Sequence, residues 1–332
     1  MRLGAGGRRA ARAVRLGAGG RSAAMAVWLG AGGRRAARAA WLGASGRRAA
    51  MAVRLGAGAD AWSRPARQPR DAVARWLDGP IDRYAERHDR LAGGVSGLSP
   101  YLRFGCLSAR ELEERAGRRG GEGAEAFIRQ LAWRDFFAHV LLHHPENARR
   151  EHQPPMRRLI WERDEPLLGA WQEGRTGYPL VDAGMRQLRA SGWMHNRARL
   201  VVGSFLTKDL QLDWRDGEAW FMRWLLDGDV ASNNGNWQWI ASVGVDPAPV
   251  FRRILNPALQ QRRHDPDGTY VRRWVPELAN VPDARLPEPW TMSDAEQAAA
   301  GCRVGEDYPA PVVDHARERR RALERYAAAR GR

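Results

Sequence analysis

Residues 227–239, DGDVASNNGNWQW, restrict what this chain can fold into more than any other stretch. Two carboxylates stand two residues apart. A pair of asparagines, a glycine and two tryptophans flanking a glutamine follow. A purely apolar core segment would carry Leu and Val here, because buried amides and carboxylates must find hydrogen-bond partners. Two readings account for the mixture. A flat heteroaromatic cofactor with donors and acceptors on its edge would use all of these groups. An Asn-Gly-rich turn between helices, with tryptophan as core filler, would also produce the pattern.

The chain has 332 residues, enough for a large core and one or two domains. Its net charge of +16 suggests nucleic acid, but residues 1–59 hold twelve arginines and no acidic residue. Setting that segment aside leaves +4 for residues 60–332. A nucleic-acid footprint on the body must therefore be a local patch. Cys106 and Cys302 are far apart in sequence, which argues against a disulfide framework and against zinc, so no metal is expected. No run of eighteen apolar residues occurs, and arginine interrupts any signal-peptide core. A cytoplasmic monomer without a membrane partner is the expectation.

Residues 2–53 are four copies of a thirteen-residue unit, RLGAGGRRAARAV and its variants. Each copy interrupts itself with Gly-Ala-Gly-Gly or Gly-Ala-Ser-Gly, leaving fewer than two helical turns between breaks. Residues 1–59 therefore read as a disordered or marginally helical arm, and 60–70 as a linker. The arm either grips phosphates or is a translated tandem repeat with no selected role.

From residue 71 the pattern is helical. AEAFIRQLAWRDFFAHVLL (124–142) is the clearest helix, with Phe127, Leu131 and Arg134 on one stripe and Trp133, Phe137 and Leu141 on another. Residues 71–91, 181–190, 197–209 and 217–226 read as further helices. No alternating β-branched run appears, so the body reads as all-α and multi-helical over 71–332. Thirteen of the fifteen tryptophans lie in residues 60–332. So many indoles beside one polar cluster again suggest an aromatic cofactor.

WQEGRTGYPLVDAGMRQLRASGWMHNRARL (171–200) and DGDVASNNGNWQW (227–239) resemble the flavin-binding helical domain of the DNA photolyase and cryptochrome family. So do LSPYLRFGCLS (98–108), DWRDGEAWF (213–221) and HDPDGTYVRRWVPEL (264–278). The resemblance runs from about residue 70 to the C-terminus and is nearest to the class I cyclobutane pyrimidine dimer photolyases. It implies FAD in a helical bundle, and light-driven electron transfer to a pyrimidine dimer flipped out of damaged DNA. Flipping costs a few kcal/mol and is cheapest at a damaged site.

Carried over position by position, the resemblance implies a flavin site of Tyr84, Ser96, Leu98, Ser99, Phe127 and Arg134. Asn196, Asp227, Asp229 and Asn233 complete it, Asn233 standing where the family faces flavin N5. Asp227 and Asp229 also read as helix N-caps. The implied lesion pocket is Gln130, Trp133, Asn196, Arg197, Leu200 and Trp239, with Arg199 and Arg252 for phosphates or for pairing with Asp227. Trp237, Trp214 and Trp161 occupy the family's electron-hopping positions.

Several positions depart from the family. Val95-Ser96-Gly97-Leu98-Ser99-Pro100 replaces Thr-Ser-Arg-Leu-Ser-Pro, and Phe127 replaces a cofactor-stacking tryptophan. Gln130 replaces a glutamate, which can share a proton with a pyrimidine carbonyl where glutamine gives a neutral hydrogen bond. No strand–helix alternation is readable before residue 70, so no antenna chromophore site is expected, and apolar surface should be exposed where an antenna domain would pack. Three functions follow: dimer repair, flavin-based light sensing without repair, or an inactive truncated product.

Overall fold

The computed structural model describes residues 69–331, so the repeat and nearly all of the linker lie outside the described residues. Fourteen α-helices occur in this part. They are α1 (Pro69–Leu77), α2 (Tyr84–Arg87), α3 (Ser99–Arg103), α4 (Ala109–Arg119), α5 (Gly121–His143), α6 (Glu165–Glu173) and α7 (Pro179–Ser191). There follow α8 (Asn196–Ser204), α9 (Trp214–Trp224), α10 (Val230–Ile240), α11 (Pro257–His264), α12 (Thr269–Trp274), α13 (Asp294–Ala300) and α14 (His315–Arg330). Among the described residues the only β-pairing is two isolated bridges, as the all-α reading requires.

The helix starts are written in short polar side chains. Ser108, Asp164, Asp213, Asp229, Asn256 and Asp314 each accept a first-turn backbone N–H of the helix that follows. Each such cap typically contributes about 1 kcal/mol. Two expected elements differ. The single helix over 71–91 is broken at Gly79-Pro80, where φ of 133° at the glycine cannot continue a helix and a short 3-10 turn leads into α2. The helix over 197–209 is α8 followed by a π-helical turn at 205–209.

The turn reading of 227–239 is also overturned, because α10 runs through Gly235 as a regular helix. Glycine is there for space rather than for a turn. A Cβ at position 235 would lie 2.0 Å from Cδ1 of Phe137, so α5 presses against α10 at that point.

The buried side chains form two clusters. The larger surrounds α7 and α8 and includes Trp171, Leu180, Met185, Phe205, Trp214 and Tyr308. The smaller joins α1, α4 and the first half of α5 through Val73, Trp76, Ile81, Leu98, Leu112 and Phe127. Helix α5 spans from the smaller cluster to α10, so the two cores meet along it.

Gly235→Ala should destabilise the domain by roughly 1–3 kcal/mol, the usual cost of overpacking. Urea denaturation checks this, and an unchanged midpoint would mean that Phe137 moves aside freely.

Candidate functional site

A cavity of about 460 Å3 lies where the two cores meet. Tyr84, Ser96 and Ser99 reach it from α2 and the start of α3. Helix α5 contributes Phe127, Gln130, Trp133 and Arg134. Asn196, Arg199 and Leu200 come from α8, and Asp227, Asp229 and Trp239 from α10 and its approach. A smaller cavity of about 90 Å3 shares part of this wall and adds Asn233 and Trp237.

Besides Trp161 and Trp214 of the electron-hopping positions, three residues singled out from the sequence line neither space. Leu98 is buried in the smaller core. Arg197 turns to Asp89, with which it forms an ion pair. Arg252 sits exposed on a 3-10 turn at 250–253. Conversely, His88, Trp193, Ser232 and Asn236 line the main cavity and were not singled out. The signal for two of them was helical spacing. Asp229, Ser232, Asn236 and Trp239 recur at three- and four-residue intervals and form one stripe of α10 once it is known to be a helix.

The remaining polar groups of α10 are held inside the protein. Asn234 and Gln238, one turn apart, both donate to the Asn147 carbonyl at 2.9 Å. Asn233 donates through Nδ2 to the Glu218 carbonyl at 3.0 Å, which leaves its Oδ1 as an acceptor. Asp229 caps α10 by accepting from the Ser232 N–H at 2.9 Å, and Asp227 is gripped by Arg199 through contacts of 2.8 and 3.0 Å.

Electrostatics here are set by burial. Burial pushes the Tyr84 phenol up to about 12, with Asp89 adding to the effect. His195 is pulled down to about 4 by burial and is neutral near pH 7. Its Nδ1 accepts the Arg197 backbone N–H at 3.1 Å, so the ring proton is on Nε2. Burial pushes Glu218 up to about 7, against the hydrogen bond from Asn234 at 3.1 Å and the charge of Arg215.

Two half-open indoles mark the mouth. Trp133 is 48% exposed, stacks on Phe137 at 5.7 Å and meets Phe136 edge-on at 5.4 Å. Trp239 is partly buried, with the Arg253 guanidinium 4.2 Å from its ring centre and its N–H on Asp246 at 3.1 Å. Deeper in, Trp237 packs against Gly217 of α9, where a Cβ would lie 2.1 Å from the indole. Trp214 is one turn earlier on the same helix and fully buried, while Trp161 is partly exposed.

Residues 127–328 match the FAD binding domain of DNA photolyase. The chain is 51% identical over 253 residues to a deoxyribodipyrimidine photo-lyase of Streptomyces griseus, covering 76% of this chain and 53% of that protein. The corresponding protein of Escherichia coli strain K12 is 45% identical over 245 residues, 71% of this chain and 50% of its own length. Among solved structures, a class III photolyase from Agrobacterium tumefaciens superposes with a TM-score of 0.76 at 41% identity, covering 80% of this chain and 56% of that one. A cryptochrome from Synechocystis superposes at 0.72 and 34% identity, over 77% of this chain and 55% of its own. The chain belongs to the DNA photolyase FAD-binding family. It spans about half the length of the curated relatives it matches.

FAD is the cofactor of this family's domain, and the residues present fit it. The main cavity is within the usual range of roughly 300–1,000 Å3 for ligand sites. Its walls pair aromatic faces, from Tyr84 and Phe127, with the hydroxyls of Ser96 and Ser99 and the amides of Asn196 and Asn236. Among the described residues no helix is long and apolar enough to cross a membrane, and no group of acidic, histidine and cysteine side chains could hold a metal.

Glu218 gives this site a pH signature. Its folded value lies above the ordinary carboxyl value of 4.5, so its contribution to stability is full below that value and is lost as pH rises through about 7. Glu218→Gln removes this dependence. The variant should gain on the wild type by about 3 kcal/mol between pH 4 and pH 8. Urea midpoints at the two pH values measure it, and an equal difference at both would show that Glu218 is not held protonated.

Proposed function

We propose that this chain performs light-driven repair of cyclobutane pyrimidine dimers in DNA. The observation that carries the reading is the pair of indoles, Trp133 and Trp239, beside a cavity suited to FAD. One side of each indole is backed, by Phe137 for Trp133 and by the Arg253 guanidinium for Trp239. The other side is left for a flipped base, with stacking worth roughly 1–3 kcal/mol per base. The names of the relatives support the same chemistry.

Tyr84, Ser96, Ser99, Phe127 and Arg134 hold the cofactor on one side, and Asn196, Asp227, Asp229 and Asn233 on the other. Asn233, fixed by its bond to the Glu218 carbonyl, offers an acceptor to a ring N–H. Leu98 supports the Ser96–Ser99 turn from beneath. When bound, reduced FAD would supply light-driven electron-transfer chemistry to the dimer. Gln130 donates a neutral hydrogen bond to a pyrimidine carbonyl, and Leu200 packs beside the lesion. Arg252 meets backbone phosphate from its exposed turn. Arg199 keeps Asp227 neutralised at the cavity wall, and Arg197 pairs with Asp89 outside it. Trp237, Trp214 and Trp161 relay electrons between the cavity and the surface.

Purified full-length protein loaded with FAD should bind a dimer-containing oligonucleotide in preference to undamaged DNA and should restore it under blue light. Gln130→Glu should raise splitting per photon severalfold while leaving affinity within about twofold, because stacking does not need the carboxyl group. A second reading, a blue-light receptor without repair, is favoured by Gln130 alone. Equal binding of damaged and undamaged DNA, with no gain in the glutamate variant, would replace the first reading with the second.

A further inference from the structure

The turn between α5 and α6 carries a buried carboxylate with an unusual set of partners. Glu151 is 4% exposed. A single oxygen, Oε1, accepts the Nε1–H of Trp161 at 3.3 Å and the Nε1–H of Trp214 at 3.3 Å. The same oxygen accepts from the Arg215 guanidinium at 2.8 Å. Arg215 in turn lies 4.8 Å from the ring centre of Trp214 and is held by Asp213 at 3.0 Å and the Arg149 carbonyl at 2.8 Å. Trp237 has different surroundings. Phe221 meets its ring edge-on at 5.0 Å, Trp171 at 6.2 Å, and Gly217 lies beneath it.

From this arrangement we propose that Glu151 is a positioning residue that ties Trp161 to Trp214 and draws positive charge outward from Trp237 onto that pair. The inference rests on the tryptophan relay of the proposed function. A positive charge beside an aromatic face opposes removal of an electron from it, so Arg215 alone would make Trp214 a barrier. A carboxylate on the indole N–H has the opposite effect, and its low-dielectric surroundings strengthen it. One oxygen shared by two indoles lowers both sites together. Trp237, with aromatic neighbours, gains no such help, so the positive charge moves downhill from Trp237 towards the partly exposed Trp161.

The oxidant would be FAD in its oxidised form, held in the same cavity and excited by light, which would take one electron from Trp237 before the cofactor reaches its reduced state. In the two hops that follow, Trp214 refills Trp237 with one electron and Trp161 refills Trp214; a thiol reductant added to the solution then returns one electron to the partly exposed Trp161. No bond forms or breaks in these two steps, and Glu151 keeps its charge.

The test uses full-length protein loaded with FAD, Glu151→Gln and Arg215→Gln as near-isosteric variants, and Trp237→Phe as the control. Flavin photoreduction under blue light, normalised to bound FAD, should fall about fivefold in Glu151→Gln. Arg215→Gln should match or exceed the wild type, because it removes the opposing charge. A packing role for the ion pair would instead slow both variants alike, and that result overturns the inference. Indole Nε1–H resonances give a second measure that does not depend on photoreduction and stands if Arg215→Gln fails to fold. In Glu151→Gln the resonances of Trp161 and Trp214 should shift while those of Trp171 and Trp237 stay. Shifts spread over all four, or none at Trp161 and Trp214, overturn the proposal. If Trp237→Phe slows photoreduction and Glu151→Gln does not, the Glu151 inference fails and the relay stands. If neither substitution slows it, the relay itself fails.

Discussion

Helix α10 carries amides, a hydroxyl and a carboxylate cap through the middle of the domain, and the rest of the structure is arranged to satisfy them. A helix polar on several sides is stable in a protein interior only if every stripe finds its own partners. One stripe, Asp229, Ser232, Asn236 and Trp239, faces the main cavity. A second, Asn233 and Trp237, borders the smaller cavity and α9. The third, Asn234 and Gln238, binds main chain. Gln238 donates to the Asn147 and Arg150 carbonyls at 2.9 and 3.1 Å and accepts the His152 N–H at 2.8 Å. That one side chain shapes the turn from 147 to 152 and so sets where Glu151 points. The cavity wall and the Trp161–Glu151–Trp214 link thus both depend on α10.

Close approach to α10 is the second requirement, and glycine meets it twice. Gly235 admits Phe137, which backs Trp133, and Gly217 admits Trp237. Each glycine sits inside a helix, where it typically costs about 1 kcal/mol relative to alanine. The aromatic contacts it permits offset that cost, since a buried aromatic ring is worth several times as much. The same contacts back Trp133 against α10 and seat Trp237 on α9.

Much of this was legible in the sequence. Helical periodicity marked the all-α body, and long motifs gave the family and most of the cavity wall. What was hidden depended on partners distant in sequence. Gly235 read as a turn signal because its reason, Phe137, is on another helix. Missing the helix also hid the spacing that groups Ser232 and Asn236 with Trp239. Arg197 read as a group facing DNA because nothing in the sequence announces Asp89 as its partner. Leu98 stood in the right motif but points into the smaller core, where it anchors the turn that presents its neighbours. At Gly97 φ is 63°, so the glycine that replaces the family's arginine suits the backbone at that point. Ser96 Oγ accepts the Leu98 N–H at 3.3 Å within the same turn.

Charge bears on how damaged DNA would be recognised under the proposed function. Residues 60–332 carry only +4, and the cations near the cavity are largely committed. Arg197 is paired with Asp89, Arg199 with Asp227 and Arg253 with Asp246. Exposed Arg252 is left to meet phosphate, with Arg134 only loosely held by Asp135 at 3.6 Å. Each phosphate neutralised steepens the salt dependence of duplex binding by roughly 0.9 log units per tenfold salt. Under that proposal, the cations at the cavity by themselves would give an undamaged duplex little to hold. Discrimination then falls to the two indoles and to the low cost of extruding a base step that is already poorly stacked. On that account a packing contact far from any phosphate, Phe137 against Trp133 across from Gly235, matters more to lesion preference than any single arginine on the surface.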